Sequence, residues 1–312
     1  MSVPPSSYYP RDYKGYGENP PNPQWPNGAR IAVSLVLAIE AGAELSLADG
    51  DEANEAVQEI LDPTQNIPAH CTASHFDYGP RAGYWRIIRA LDKYGVKCSA
   101  CCAARAIEKA PWIAQDLIAR GHEISAHGYR WEGHADMDEA HEREIIQKTT
   151  DTIEAACGYR PIGWHTKGPP SNITRKLLVE SGYLYDNDAY DDDLPRIQQV
   201  DGQPHVVVPY SFDTNDMRFQ AGPVGKFLTS EDYAKVCIDA FDTLWEEGET
   251  APKMLSVGVH DRFIGRPSRI PGLIKFLEHA HAKGEVWFAR RMDIAHNWRK
   301  INNLPEFPYK QP

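Results

Sequence analysis

Residues 31–39 read Ile-Ala-Val-Ser-Leu-Val-Leu-Ala-Ile, an apolar run of strand length rich in Val, Leu and Ile. A strand of this composition is buried on both faces, the condition of a parallel sheet covered by helices. The run ends at Glu40-Ala-Gly-Ala-Glu44, which places two carboxylates at a strand exit. A chain that begins this way points to an α/β architecture with its chemistry at the strand ends.

The rest of the chain keeps the alternation. Residues 81–93 carry apolar side chains at helical spacing (Tyr84, Ile87, Ile88, Leu91) and stop at Gly95. Further helices are expected over 106–121, 138–157, 172–181, 231–247, 269–283 and 293–299, and strands over 96–104, 123–126, 162–164, 183–188, 206–210, 254–260 and 286–289. Residues 45–80 read as an insertion loop with a short helix. Six to eight such units, with no linker and no internal repeat, predict one distorted (β/α) barrel with a parallel sheet. The barrel is expected over 29–300, with a C-terminal tail over 301–312. Before it lies an arm over 1–28, rich in Pro, Tyr, Asn and Gly, which drapes over the domain or a neighbouring subunit.

A net charge of −11 argues against nucleic acid or an anionic membrane as partner, since either needs a basic face. No secretory signal and no membrane-spanning apolar run is visible, so the expectation is a cytoplasmic protein with six reduced cysteines. Cys98, Cys101 and Cys102 offer only one C-x-x-C spacing and fall in an expected buried strand, so they read as packing thiols.

In a barrel, functional side chains collect at the C-terminal strand ends. Those ends present Glu40 and Glu44; then His127, turned by Gly128 and followed by Tyr129, Arg130 and Trp131; then Trp164 and His165. Asp188, the 191–193 aspartate run, the 213–218 segment with Asp213, Asn215 and Asp216, and His260-Asp261-Arg262 complete the rim. Carboxylates, imidazoles and guanidinium groups together suit general acid–base hydrolysis, in which one group deprotonates water and another protonates a leaving nitrogen. The plainer readings are solvated turns for 191–193 and 213–218, a core histidine at 260, and surface positions for His134 and His141. His122 precedes its strand and so falls at the wrong end.

At this point motifs accumulate. Arg30-Ile31 through Glu44, His127-Gly-Tyr-Arg-Trp131 and Val257-Gly-Val-His260 resemble the strand-end motifs of the polysaccharide deacetylase (NodB homology) family. Tyr9-Pro-Arg-Asp, Arg81-Ala-Gly-Tyr-Trp-Arg86, Gly121-His-Glu-Ile, Arg160-Pro-Ile-Gly-Trp164, Tyr190-Asp-Asp-Asp-Leu-Pro195, Asp213-Thr-Asn-Asp-Met-Arg-Phe219 and Ile264-Gly-Arg-Pro267 resemble its allantoinase and cyclic imide hydrolase branch. The resemblance implies a distorted (β/α) barrel that hydrolyses non-peptide C–N bonds, and a homo-oligomer. The departures are specific. Ala41 replaces the second of two adjacent acidic residues, Trp131 replaces the second of two metal-binding histidines, and His165 stands where the branch has Tyr. A catalytic zinc takes three protein ligands. The expectation is therefore no cofactor and no metal, with zinc the exception to test.

The resulting assignment makes Glu40 the base on water and His260 the acid to the leaving nitrogen, with His127 and Arg130 polarising the substrate carbonyl. Trp131 and Trp164 wall the pocket, and Glu44, Tyr129, His165, Asp213, Asn215, Asp216 and Arg262 complete the contacts to a small cyclic amide or ureide. Two alternatives are a metal-dependent polysaccharide or peptidoglycan N-deacetylase, and a deacetylase-like protein that only binds.

Overall fold

The computed structural model describes residues 8–57, 60, 64–220 and 226–309. Parts of the expected arm, of the 45–80 insertion and of the C-terminal tail lie outside the described residues. Nine strands form one sheet: β1 (Ile31–Ile39), β2 (Ser99–Cys102), β3 (Glu123–Ala126), β4 (Gly163–Trp164), β5 (Tyr185–Asp186), β6 (Arg196–Val200), β7 (Gln203–Val207), β8 (Lys253–His260) and β9 (Val286–Phe288). Their order is β6-β7-β5-β4-β3-β2-β1-β8, and β9 pairs with the first residues of β1. Around them pack α1 (His70–Tyr78), α2 (Tyr84–Lys93), α3 (Ala104–Lys109), α4 (Pro111–Ala119), α5 (Glu139–Cys157), α6 (Thr174–Glu180), α7 (Ser230–Glu247), α8 (Ile270–Lys283) and α9 (Arg291–Ile301). None of the described helices is long and apolar enough to cross a membrane.

Strand periodicity builds the interior. On β1, Ile31, Val33, Leu35, Leu37 and Ile39 face outward into the main core beneath the helices. Val36, Ala38 and then Glu40 face inward and line a cavity. β8 alternates in the same way, with Leu255, Val257 and Val259 in the main core and, on the other face, Gly258 against the Tyr210 hydroxyl and His260 lining the cavity. The parallel register sets Ala38 beside His260 and Val36 beside Gly258. Small side chains inside and large aliphatic ones outside leave room for a site at the strand ends.

The sheet does not close as a regular barrel. Beyond β7 the described residues meet β8 through an isolated bridge, Asn215 to Gly258, with the Gly258 N–H donating to the Thr214 carbonyl at 3.2 Å. The opposite end is plugged by Trp25, Trp298, Met254 and Ile162. Trp25 belongs to the N-terminal arm, and its Nε1 donates to the Lys253 carbonyl at 2.9 Å. The described part of the arm therefore packs on its own barrel.

Three expectations change. The sheet is not wholly parallel, because β6 and β7 form an antiparallel hairpin. Its two turn residues, Asp201 and Gly202, have φ of 48° and 81°, the backbone that a tight two-residue hairpin requires. The helix expected over 106–121 is broken into α3 and α4 at Pro111, which cannot donate within a helix and restricts the residue before it. His134 is buried rather than at the surface. Its Nδ1 lies 2.9 Å from Glu142, whose carboxylate also accepts from Ser171 at 2.6 Å, tying the 127–134 and 165–171 loops to α5. His141 is exposed, as expected.

Candidate active site

The turn after β1 brings Glu40 to the centre of the strand-end rim, where it is almost wholly buried. Its Oε1 lies 3.3 Å from His127 Nε2 and 3.6 Å from His260 Nε2. Its Oε2 accepts from the Arg262 guanidinium. Burial alone would raise this carboxyl, but Arg262, His260 and His127 outweigh it and hold Glu40 well below the usual carboxylate range. Arg262 is itself enclosed by the rings of Phe76, Phe263 and Trp131, at 4.5, 4.5 and 5.2 Å.

Both imidazoles are fixed from behind. His127 Nδ1 lies 2.6 Å from the His165 carbonyl, which can only accept, so Nδ1 carries a proton and Nε2 faces Glu40. Burial opposes a charge on His127, but its contacts with Cys101 and Glu40 outweigh burial and push its pKa well above the ordinary value. His260 Nδ1 sits 2.6 Å from Asp216 Oδ1. The other oxygen of Asp216 accepts the backbone N–H groups of His260 and Ile264, at 2.8 and 2.9 Å. The His260 tautomer is set by that carboxylate, which leaves Nε2 for the substrate side. His165 stacks on His127 at 5.2 Å and lies 3.3 Å from Asp188, while burial keeps its pKa below the usual value.

These groups open on a cavity of about 610 Å³. Glu40, His127, Trp131, His165, Asn215 and His260 line it, together with Lys167, Tyr210, Phe212 and Met217. Tyr210 was not foreseen, because it lies three residues beyond β7 on the irregular return to β8. Asp216 and Arg262 stand just behind the lining and act on it through His260 and Glu40.

Five expected contacts fall elsewhere. Trp164 is fully buried in the outer core with Nε1 donating to Thr166, because adjacent residues at a strand end face opposite ways and His165 takes the inner side. Tyr129 turns outward and donates to Glu108 at 2.9 Å. Arg130 clasps Asp51 and the carbonyls of Ala43 and Glu44, which fixes the turn after β1. Glu44 is occupied by the Gly42 N–H at 2.6 Å. Asp213 is exposed and borders an adjoining cavity of about 730 Å³ with Asp191–Asp193, which shares Tyr190, Tyr210 and Phe212 with the first and is lined by no imidazole.

A buried carboxylate between two anchored imidazoles, at the strand-end rim of a distorted (β/α) barrel, defines a hydrolase-type centre. The chain belongs to the polysaccharide deacetylase family. The family model for polysaccharide deacetylase matches residues 64–183. A Schizosaccharomyces pombe protein assigned as a polysaccharide deacetylase is 35% identical over 97% of this chain and 99% of its own length. Among solved structures, a probable polysaccharide deacetylase from Pseudomonas aeruginosa PAO1 superimposes with a TM-score of 0.90 at 43% identity, covering 95% of this chain and 100% of that one. The PuuE allantoinase also superimposes with a TM-score of 0.90, at 42% identity, covering 95% of this chain and 99% of that one.

The metal that the family pattern implies does not fit the residues present. Ala41 offers no donor, and the Trp131 indole covers Arg262 instead. The guanidinium on Glu40 already neutralises the one carboxylate that faces both imidazoles, and would sit beside a bound dication. Among the described residues no group of three His, Cys, Asp or Glu is arranged to hold a metal ion.

Proposed function

We propose that this protein hydrolyses a C–N bond in a small cyclic ureide or imide without a metal, in the manner implied by its likeness to an allantoinase. The observation that carries the reading is the Glu40 carboxylate, held ionised by Arg262 and touching the Nε2 atoms of His127 and His260 in a compact cavity. The cavity is large enough to enclose a small ring.

The roles differ from the sequence assignment in two respects. Arg130 holds the turn after β1 and leaves the carbonyl to His127. A carboxylate held far below its usual range accepts a proton poorly, so water activation passes from Glu40 to His260. His260, oriented by Asp216, takes a proton from water at Nε2 as the oxygen adds to the ring carbonyl. His127, charged, stabilises the developing oxyanion. The His260 proton then passes to the ring nitrogen as the C–N bond breaks, leaving a carboxylic acid on one side and the freed nitrogen on the other. Glu40 keeps both imidazoles aligned and favours positive charge on His127. A strained or activated ring amide needs less electrophilic assistance than an acetamide, which is consistent with a centre lacking a Lewis acid.

The equally similar P. aeruginosa structure keeps a second reading in play, deacetylation of an N-acetylated sugar polymer. Chelator-treated protein is offered allantoin, hydantoin and succinimide, with a chitooligosaccharide beside them. Ring opening without metal is the expected result. Cleavage of the sugar alone, or activity that appears only with zinc, overturns the proposal.

A further inference from the structure

We propose that the Tyr210 hydroxyl donates a hydrogen bond from the cavity floor to a second carbonyl of the substrate, remote from the bond that breaks, and so selects rings with two carbonyls over rings with one. This rests on the ring-opening reading above and specifies the ring.

The direction of the donor follows from a chain of contacts. The Met217 backbone N–H donates to Asn215 at 2.8 Å, so the atom it meets is the amide oxygen. The Asn215 amide nitrogen then faces the Tyr210 oxygen at 3.1 Å and must donate to it. The phenol oxygen is therefore an acceptor, and among the described residues no acceptor takes its own proton. Tyr210 is largely buried and lines the cavity, so that proton is available to a ligand. Burial also pushes the phenol well above its ordinary pKa, which keeps it a neutral donor across the working range.

Position decides what it meets. A Cβ on Gly258 would lie 2.0 Å from the Tyr210 oxygen, so the hydroxyl occupies the space that a side chain at 258 would fill. Gly258 faces inward two residues before His260, roughly 7 Å deeper along the strand. His260 directs Nε2 away from the floor toward Glu40. The reacting imidazoles and the phenol thus line one cavity at different depths along β8. The phenol ring is held between the His165 imidazole, at 4.8 Å, and the Arg291 guanidinium, at 5.4 Å. A ring with carbonyls on both sides of one nitrogen offers one oxygen to the imidazoles and the other to Tyr210. A lactam leaves the phenol proton unpaired in a buried place, and such unpaired groups discriminate strongly between ligands.

The test separates this proposal from the reaction it rests on. Turnover of hydantoin by the wild-type chain decides the ring-opening reading. Affinity for hydantoin and for 2-pyrrolidinone is then measured by calorimetry in His260→Ala and in His260→Ala/Tyr210→Phe, where turnover is blocked. The expected result is a tenfold to hundredfold loss of hydantoin affinity on adding Tyr210→Phe, less than threefold change for 2-pyrrolidinone, and an unchanged melting temperature. Equal affinities for hydantoin in both variants, equal losses for both ligands, or no hydantoin binding in either variant would overturn it.

Discussion

Asp216 and His260 meet carboxylate to imidazole at 2.6 Å across the seam where the barrel closes, one on the irregular return from β7 and the other at the last residue of β8. The pair joins the irregular closure of the barrel to its chemistry, because the same carboxylate also holds two backbone N–H groups of the β8 exit. Asp216→Asn replaces a pure acceptor with a group that presents an amide donor to the protonated Nδ1. The expected loss in kcat is about 10³–10⁴-fold, by analogy with a serine protease triad. His260→Ala is expected to lose at least as much. Steady-state kinetics with circular dichroism checks both, and an Asp216→Asn enzyme within threefold of wild type would remove His260 from the base role.

Glu40 and Arg262 are both buried, so breaking the pair is costly. Arg262→Met leaves a buried carboxylate without its guanidinium partner and is expected to destabilise by about 3–5 kcal/mol. Adding Glu40→Gln recovers part of that loss in urea denaturation, although neither variant retains activity. Acid dependence follows from the depressed carboxyl. Its stabilisation is fully present above the unfolded glutamate value of about 4.3 and is lost as pH falls from there toward the folded value. Glu40→Gln is expected to show a shallower loss of stability below pH 4.

Asp261 behaves in the opposite sense. Both of its oxygens are buried without a hydrogen-bond partner, and burial pushes its pKa up to about 7. The unfolded chain releases this proton near 3.9, so stability falls as pH rises from there to about 7 and the penalty is constant above it. The full span corresponds to about 4 kcal/mol at most. Asp261→Asn removes the titration, and its melting temperature is expected to decline less between pH 4 and 8 than that of wild type. An identical slope would show that Asp261 ionises freely in the fold.

Gly258 admits the Tyr210 hydroxyl where any side chain would collide. Gly258→Ala is expected to cost about 1–3 kcal/mol in thermal unfolding through overpacking, and to reduce turnover by displacing Tyr210 and Asn215. A stable, fully active variant would show that the floor adapts.

Much of this arrangement was legible in the sequence. The apolar run of β1 and the alternation of strands and helices located the strand ends, and those ends gave Glu40, His127, His165 and His260. Residues that adjoin a lining residue in sequence do not thereby adjoin it in space. Trp164 adjoins His165, and Tyr129 and Arg130 follow His127, yet a period of two and the Gly128 turn send them to other surroundings. His134 reads as a polar loop residue until α5 brings Glu142 to it.

The sequence by itself determined the elements and the faces they bury, because periodicity and turn residues act over a few positions. Tertiary structure alone decided that Arg262 neutralises Glu40 from 222 residues away, that Asp216 orients His260, and that Tyr210 forms the floor. Those contacts arise where the register of β1 on β8 and an irregular closing segment meet, and no local pattern encodes a register set by the packing of the whole barrel.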